Sequence, residues 1–465
     1  MSQALLWAVC LSLLRSFTVA SLCVLGANAA LPMLRHSTIM RKLAWVLLLP
    51  VIMPPLVMGY AYSNVALSLI REPLLNDLLY SLLLVMRFFP VALLILYLAP
   101  APLLTPTALH NLKLAKLSRW RCYLTHGDGR LQLITFAVLF ILSFTEFEIT
   151  SRMGCTSWTT WLFDAQVGGT PLSQTLLWLS LPASISLLIL AAVFMTLPRH
   201  CESQKPCTRP MHTIATRQWV VLITWWLASL ILCLIIPWCW VLTPAIKALP
   251  AVLREMQILS EIGYSLLFAT LGALAVLLIT LGSDFLPRWM RWLLCLPGLA
   301  GSLVVGLIIL GLFQLPLFRG LYDTPIPIVL SLLVIALPAG LILGPILIQH
   351  NSSMHLGQLT KLSLATKHQK LAKHLCWQYQ NRQRWMLLCI LMFVTYYDLP
   401  ASALLAPVGM SPAVVRLYNL MHYGQYETLS AMVLLTYALP AMGLACLFLI
   451  ANMHGRFTEG RNITP

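Results

Sequence analysis

Three carboxylates stand out because their neighbours are apolar. Glu146 and Glu148 close the run L-F-I-L-S-F-T-E-F-E, and Asp398 closes M-F-V-T-Y-Y-D. An ionised group at membrane depth is costly and tends to persist where it binds or steers something. Glu146, Glu148 and Asp398 are therefore candidates to meet a cationic solute, the alternative being interfacial carboxylates bathed in water. Two cations lie in similar surroundings. Arg87 is expected to pair with a carbonyl or reach the interface, and Arg15 to extend its head to water. His200, Cys201, Cys207 and His212 form H-C-x5-C-x4-H. These are zinc-type ligands, but the spacing fits none of the usual knuckles, and Pro206 and Pro210 suit a linker, so no metal site is expected. The phosphate loop G-x-x-x-x-G-K-[ST], H-E-x-x-H and G-x-S-x-G are all absent, so neither ATP binding by this chain nor enzyme activity is expected.

The elements that must position these groups follow from hydropathy. The chain is 59% hydrophobic and 9% charged, with a mean hydropathy of +0.84, which excludes an ordinary soluble domain. Its apolar runs have the length of membrane-crossing helices, and the short alternating strands of a β-barrel are missing. The expected fold is an all-α polytopic membrane protein of about 11 transmembrane helices, near 12–34, 44–66, 78–99, 131–149, 173–197, 219–241, 261–282, 293–315, 327–350, 385–404 and 430–451. In that topology the Lys and Arg residues fall on one side, except Arg71, Arg152, Lys247, Arg254, Arg319 and Arg416 opposite and Arg15 and Arg87 within spans. Positive loops remain cytoplasmic, which places the C-terminus inside and makes the net charge of +16 a matter of topology rather than nucleic-acid binding. Residues 1–30 end in Ala27-Asn28-Ala29 like a leader peptide. They lack a basic start, and Ser16 to Leu22 has a counterpart at Ser265 to Leu271, so the segment is expected to be structural.

That counterpart is one of several. Trp45 to Tyr60 matches Trp292 to Leu307 with Trp, Pro and Gly coincident; Arg87 to Ala92 matches Ile335 to Gly340; Phe144 to Phe147 matches Tyr396 to Leu399. Between them lie two basic segments, 107–130 and 358–384, sharing L-A-K-x3-W. Matches in constant order indicate duplication. The expected halves are residues 1–200 and 218–465, joined by a cytoplasmic linker at 201–217, and two such halves enclosing a path are a recurring transporter architecture. Pro54, Pro55 and Gly59 in one half, and Gly301 and Gly306 in the other, mark either close helix packing or a moving gate.

The proline-rich stretches P-V-I-M-P-P-L-V-M-G-Y and P-G-L-A-G-S-L-V-V-G-L resemble the "lPlalPpvvlG" helix of type I ABC importer permeases of the MetI-like fold. D-L-P-A-S-A-L-L-A-P-V-G, from Asp398, is similar to the E-L-P-x-T-L-L-L-x-P-x-G segment of fused double permeases for ferric iron and thiamine. The resemblance covers most of the chain. It implies two homologous MetI-like halves in a bacterial inner membrane and a translocation path for a small solute such as ferric iron or thiamine. It further implies a periplasmic substrate-binding protein as partner and a cytoplasmic ABC ATPase dimer that holds the ATP. In the family, the ATPase grips a coupling loop, E-A-A-x3-G. Laid on the L-A-K-x3-W anchor, ending in Trp120 and Trp377, its E-A-A positions fall on His110, Asn111 and Leu112, and on Lys367, His368 and Gln369; the glycine falls on Lys116 and Lys373. Neither copy keeps the motif, and lysine there favours unbroken helix. The departure supports an alternative expectation, a permease-fold membrane enzyme or scaffold that no longer couples to an ATPase.

Overall fold

The computed structural model describes residues 3–36, 46–98, 128–196, 216–344 and 369–460. All regular structure among them is helical. Contacts divide the chain into two compact units, Met1–Trp240 and Val241–Pro465.

In the first unit, α1 (Gln3–His36) is followed by a 3-10 turn, Val46–Leu48, a single helical turn α2 (Leu49–Ile52), then α3 (Pro55–Ser68) and α4 (Pro73–Leu98). After these come α5 (Asp128–Phe144), two short helices α6 (Glu148–Met153) and α7 (Trp158–Val167), and α8 (Leu172–Thr196). Helix α9 (Thr216–Leu230) runs through a π-helical turn, Ile231–Ile235, into α10 (Ile236–Val252), whose residues from Val241 onward belong to the second unit. The packing centre is α1, which lies against both α4 and α5, while α3 lies against α6. Phe89 stacks on Trp225, which fixes α9 on α4. Residues 216–240 thus pack with the first unit.

The second unit contains α11 (Met256–Gly282), α12 (Arg288–Leu299), α13 (Ser302–Gln314), α14 (Ile326–Gly344), α15 (Gln369–Tyr396), the short helices α16 (Leu399–Leu405) and α17 (Ala413–His422), and α18 (Tyr426–Gly460). Here α11 is the centre and lies against α14 and α15, and α13 lies against α16. Ala273, Val276, Ala336, Leu337, Leu387 and Leu391 form the core of that three-helix contact. Gly340 and Gly344 on α14 meet Val276 and Thr280 on α11, the small-residue contact through which membrane helices approach in the absence of a hydrophobic drive.

Among the described residues, six helices are long and apolar enough to cross a membrane, or up to eight if each of two bent pairs counts as one span. Several aliphatic side chains on them remain exposed, among them Leu25, Leu78, Leu188, Ile246 and Leu278. This is the surface of a multi-pass membrane protein, whose solvent is lipid on those faces. The count among the described residues differs from 11 chiefly where expected spans are interrupted. Residues 46–66 of the span expected at 44–66 form a 3-10 turn, α2 and α3 rather than one helix, because Pro54 and Pro55 supply no N–H to the ladder.

Candidate functional site

The interruption in the first unit is held from both sides. Pro54 precedes α3 in extended backbone (φ −60°, ψ 142°) and Pro55 is its first residue, so Leu56 offers the first free N–H of the helix. Glu148 Oε2 accepts that N–H at 3.0 Å, placing a carboxylate at the positive end of the helix. Before the break, the carbonyl of Met53 has lost its helical donor, and Arg87 Nη1 donates to it at 2.7 Å. Both charged side chains are buried. Of the two expectations for Arg87, the carbonyl partner is the one found. Farther along, a Cβ at Gly59 would lie 2.9 Å from Arg152 Cβ and 3.1 Å from Ile149 Cα. Glycine lets α3 lie directly on α6.

Glu148 is positioned by a second interruption, where α5 stops at Phe144. Glu146 caps the next helix: its Oε1 accepts from Ile149 N at 2.6 Å, and its Oε2 accepts from Thr150 N at 3.2 Å and Thr150 Oγ1 at 2.6 Å. Tyr80 from α4 donates to the same oxygen at 2.8 Å. The carbonyl of Phe144, orphaned at the helix end, accepts from Trp158 Nε1 at 2.7 Å. Arg15 does not extend to water as expected. It is buried, donates to Asp77 at 2.9 Å and to the Thr156 carbonyl at 3.2 Å, and lies 4.8 Å from the centre of the Tyr80 ring. Asp77 and Tyr80 keep it inside because burying an arginine beside a carboxylate and a ring face costs less than burying it alone.

The second unit repeats this arrangement with different side chains. Helices α12 and α13 meet at 94°, and the chain turns at Gly301, whose φ of 106° is disfavoured for any residue with a Cβ. Ser302, the first residue of α13, donates its hydroxyl to both carboxylate oxygens of Asp398, 2.6 Å from Oδ2. Asp398 is buried and occupies the N-cap position of α16, at the 63° bend that separates it from α15. A Cβ at Gly306 would lie 3.3 Å from Ala401 Cα and 3.2 Å from Leu404 Cδ1, so α13 lies on α16 as α3 lies on α6. The two tasks divided in the first unit between Glu146, at the short helix, and Glu148, across to the broken one, fall on one residue here.

The sequence-expected gate residues therefore assemble within each unit: Pro54, Pro55 and Gly59 with Glu148, and Gly301 and Gly306 with Asp398. Glu146 stands behind its cluster. His110, Asn111, Leu112, Lys116, Trp120, Lys367 and His368 of the expected coupling segments lie outside the described residues, as do His200, Cys201, Cys207 and His212. Gln369, Lys373 and Trp377 fall within the first turns of α15. Sequence reasoning gave Ser302 and Tyr62 no role. Ser302 had a signal, since it follows Gly301 where a proline pair occupies the matched stretch. Tyr62 had none: its hydroxyl donates at 2.9 Å to Leu232 O inside the π-helical turn. A π turn shifts the backbone hydrogen-bonding register, and here Tyr62 ties that turn to α3.

No family model, no curated protein and no solved structure matches this chain.

Proposed function

We propose that the chain is a membrane permease in which the two broken helices rearrange as a small solute crosses the bilayer. The single observation that carries this reading is the pair of interruptions, each held by a buried carboxylate from a second interruption. Discontinuous helices with charged groups at their free ends are how transporters provide polar contacts at membrane depth, where intact helices have no backbone groups to spare. A hydrogen bond to a side chain can be exchanged without unwinding a helix, so Glu148 and Asp398 are hinge contacts that persist or release as α3 and α13 tilt.

In its finer form the proposal follows the resemblance: a fused double permease of an importer in a bacterial inner membrane, served by a periplasmic binding protein and a cytoplasmic ABC ATPase dimer, with ferric iron or thiamine as solute. Two further observations support duplication. In both units the first long helix packs on the same two partners in order, and in both the broken helix lies on the short one through a glycine. The test is uptake of ferric iron and of thiamine by cells lacking the chain and cells in which it is restored. Restoration of either uptake, lost again in Asp398→Ala at equal membrane abundance, supports the permease. Unchanged uptake of both, together with ATP-independent turnover of a lipid or metabolite by the purified chain, would favour the uncoupled alternative to which the degenerate coupling segments point.

A further inference from the structure

Helix α12 has a design that transport alone does not require. It runs at 94° to α13, so if α13 crosses the bilayer, α12 lies along its surface. Its inner end is anchored, with Cys295 in the core and Gly298 against Val334 and Pro338 of α14. Toward the outer end Trp289 and Leu293, one helical turn apart, are 61% and 56% exposed. Exposed apolar side chains at that spacing form a single stripe. Arg291 occupies the other flank of the helix. The Nε of Arg291 is shielded from solvent and, among the described residues, has no hydrogen-bond partner.

We propose that α12 binds an anionic phospholipid, the headgroup phosphate on the Arg291 side and the acyl chains along Trp289 and Leu293. The assignment rests on complementarity of both parts. An arginine with spare donors at a membrane surface attracts negative charge and pairs phosphate through two N–H groups, while a tryptophan at that depth packs its ring among the glycerol and upper chain carbons. A soluble anion would use the first feature and have no use for the second. Because α12 leads directly into Gly301, an anionic lipid held there would bias the angle of the helix break. Lipid composition would then enter the conformational equilibrium of the second unit.

The experiment uses the full-length protein in detergent, titrated with phosphatidylglycerol carrying brominated chains, which quench tryptophan on contact. Phosphatidylcholine with the same chains and inorganic phosphate serve as comparisons. The expected result is a saturable quench with phosphatidylglycerol favoured over phosphatidylcholine by roughly fivefold, the contribution of about one arginine at a membrane surface. Arg291→Gln should abolish the preference, Arg291→Lys should keep most of it and so exclude a folding defect, and Trp289→Phe should remove the saturable component. Equal quenching by the two lipids, or an unchanged preference in Arg291→Gln, would overturn the proposal. Inorganic phosphate competing at millimolar concentration without the chains would overturn it in favour of a soluble-anion site.

Discussion

Asp398 and Ser302 show what the buried contacts at the helix breaks cost and contribute. A carboxylate at 7% exposure is tolerable because Ser302 donates to it, and removing that hydroxyl strands the charge. Ser302→Ala should therefore destabilise the protein by about 1–3 kcal/mol. Ser302→Ala with Asp398→Ala should cost less than the two single changes together, because the second substitution removes the stranded group. Thermal unfolding of the four proteins in one detergent checks this, and strict additivity would contradict it. The glycines make a second comparison. Gly59→Ala brings a Cβ to 2.9 Å from Arg152 Cβ and 3.1 Å from the backbone of α6, whereas Gly306→Ala stays at 3.2 Å or beyond. The first should lose about 1–3 kcal/mol through overpacking, measurably more than the second.

The helix breaks differ in how firmly they are held. In the first unit Arg87 holds the chain before the break, Glu148 holds it after, and Tyr62 ties α3 to the π turn of the helix starting at Thr216. Among the described residues, the side-chain hydrogen bonds that cross from α13 to the second interruption are those from Ser302 to Asp398. The expected consequence is that amide exchange is slower in α3 than in α13. Tyr62→Phe should release the Leu232 carbonyl, cost about 1 kcal/mol and raise exchange in α3 toward that of α13. Mass spectrometry of exchanged peptides reports both segments in one experiment, and equal protection in the unsubstituted protein would show that the tether adds nothing.

At the scale of the whole molecule, the legible part of the fold was whatever hydropathy and backbone chemistry determine locally. Apolar runs of membrane length, proline pairs without N–H groups and glycines at matched places pointed to helices and to where they break. The partners at the breaks were less legible, because Glu148 and Leu56 are 92 residues apart and Asp398 and Ser302 are 96, and nothing local encodes which carboxylate reaches which helix end. The helix starting at Thr216 was assigned by its position after the linker, whereas its aromatic face decides where it packs. Coupling to an ATPase is a property of the whole assembly. If the chain is the permease proposed above, Lys373→Glu is expected to lower transport at least severalfold while leaving membrane abundance unchanged, since a reversed charge at an electrostatic contact opposes docking. The most direct measurement is isolation of the tagged full-length chain from membranes in mild detergent, with identification and stoichiometry of what remains bound. The permease account expects two copies of an ABC ATPase subunit per chain; an intact, folded chain that carries no ATPase would contradict it.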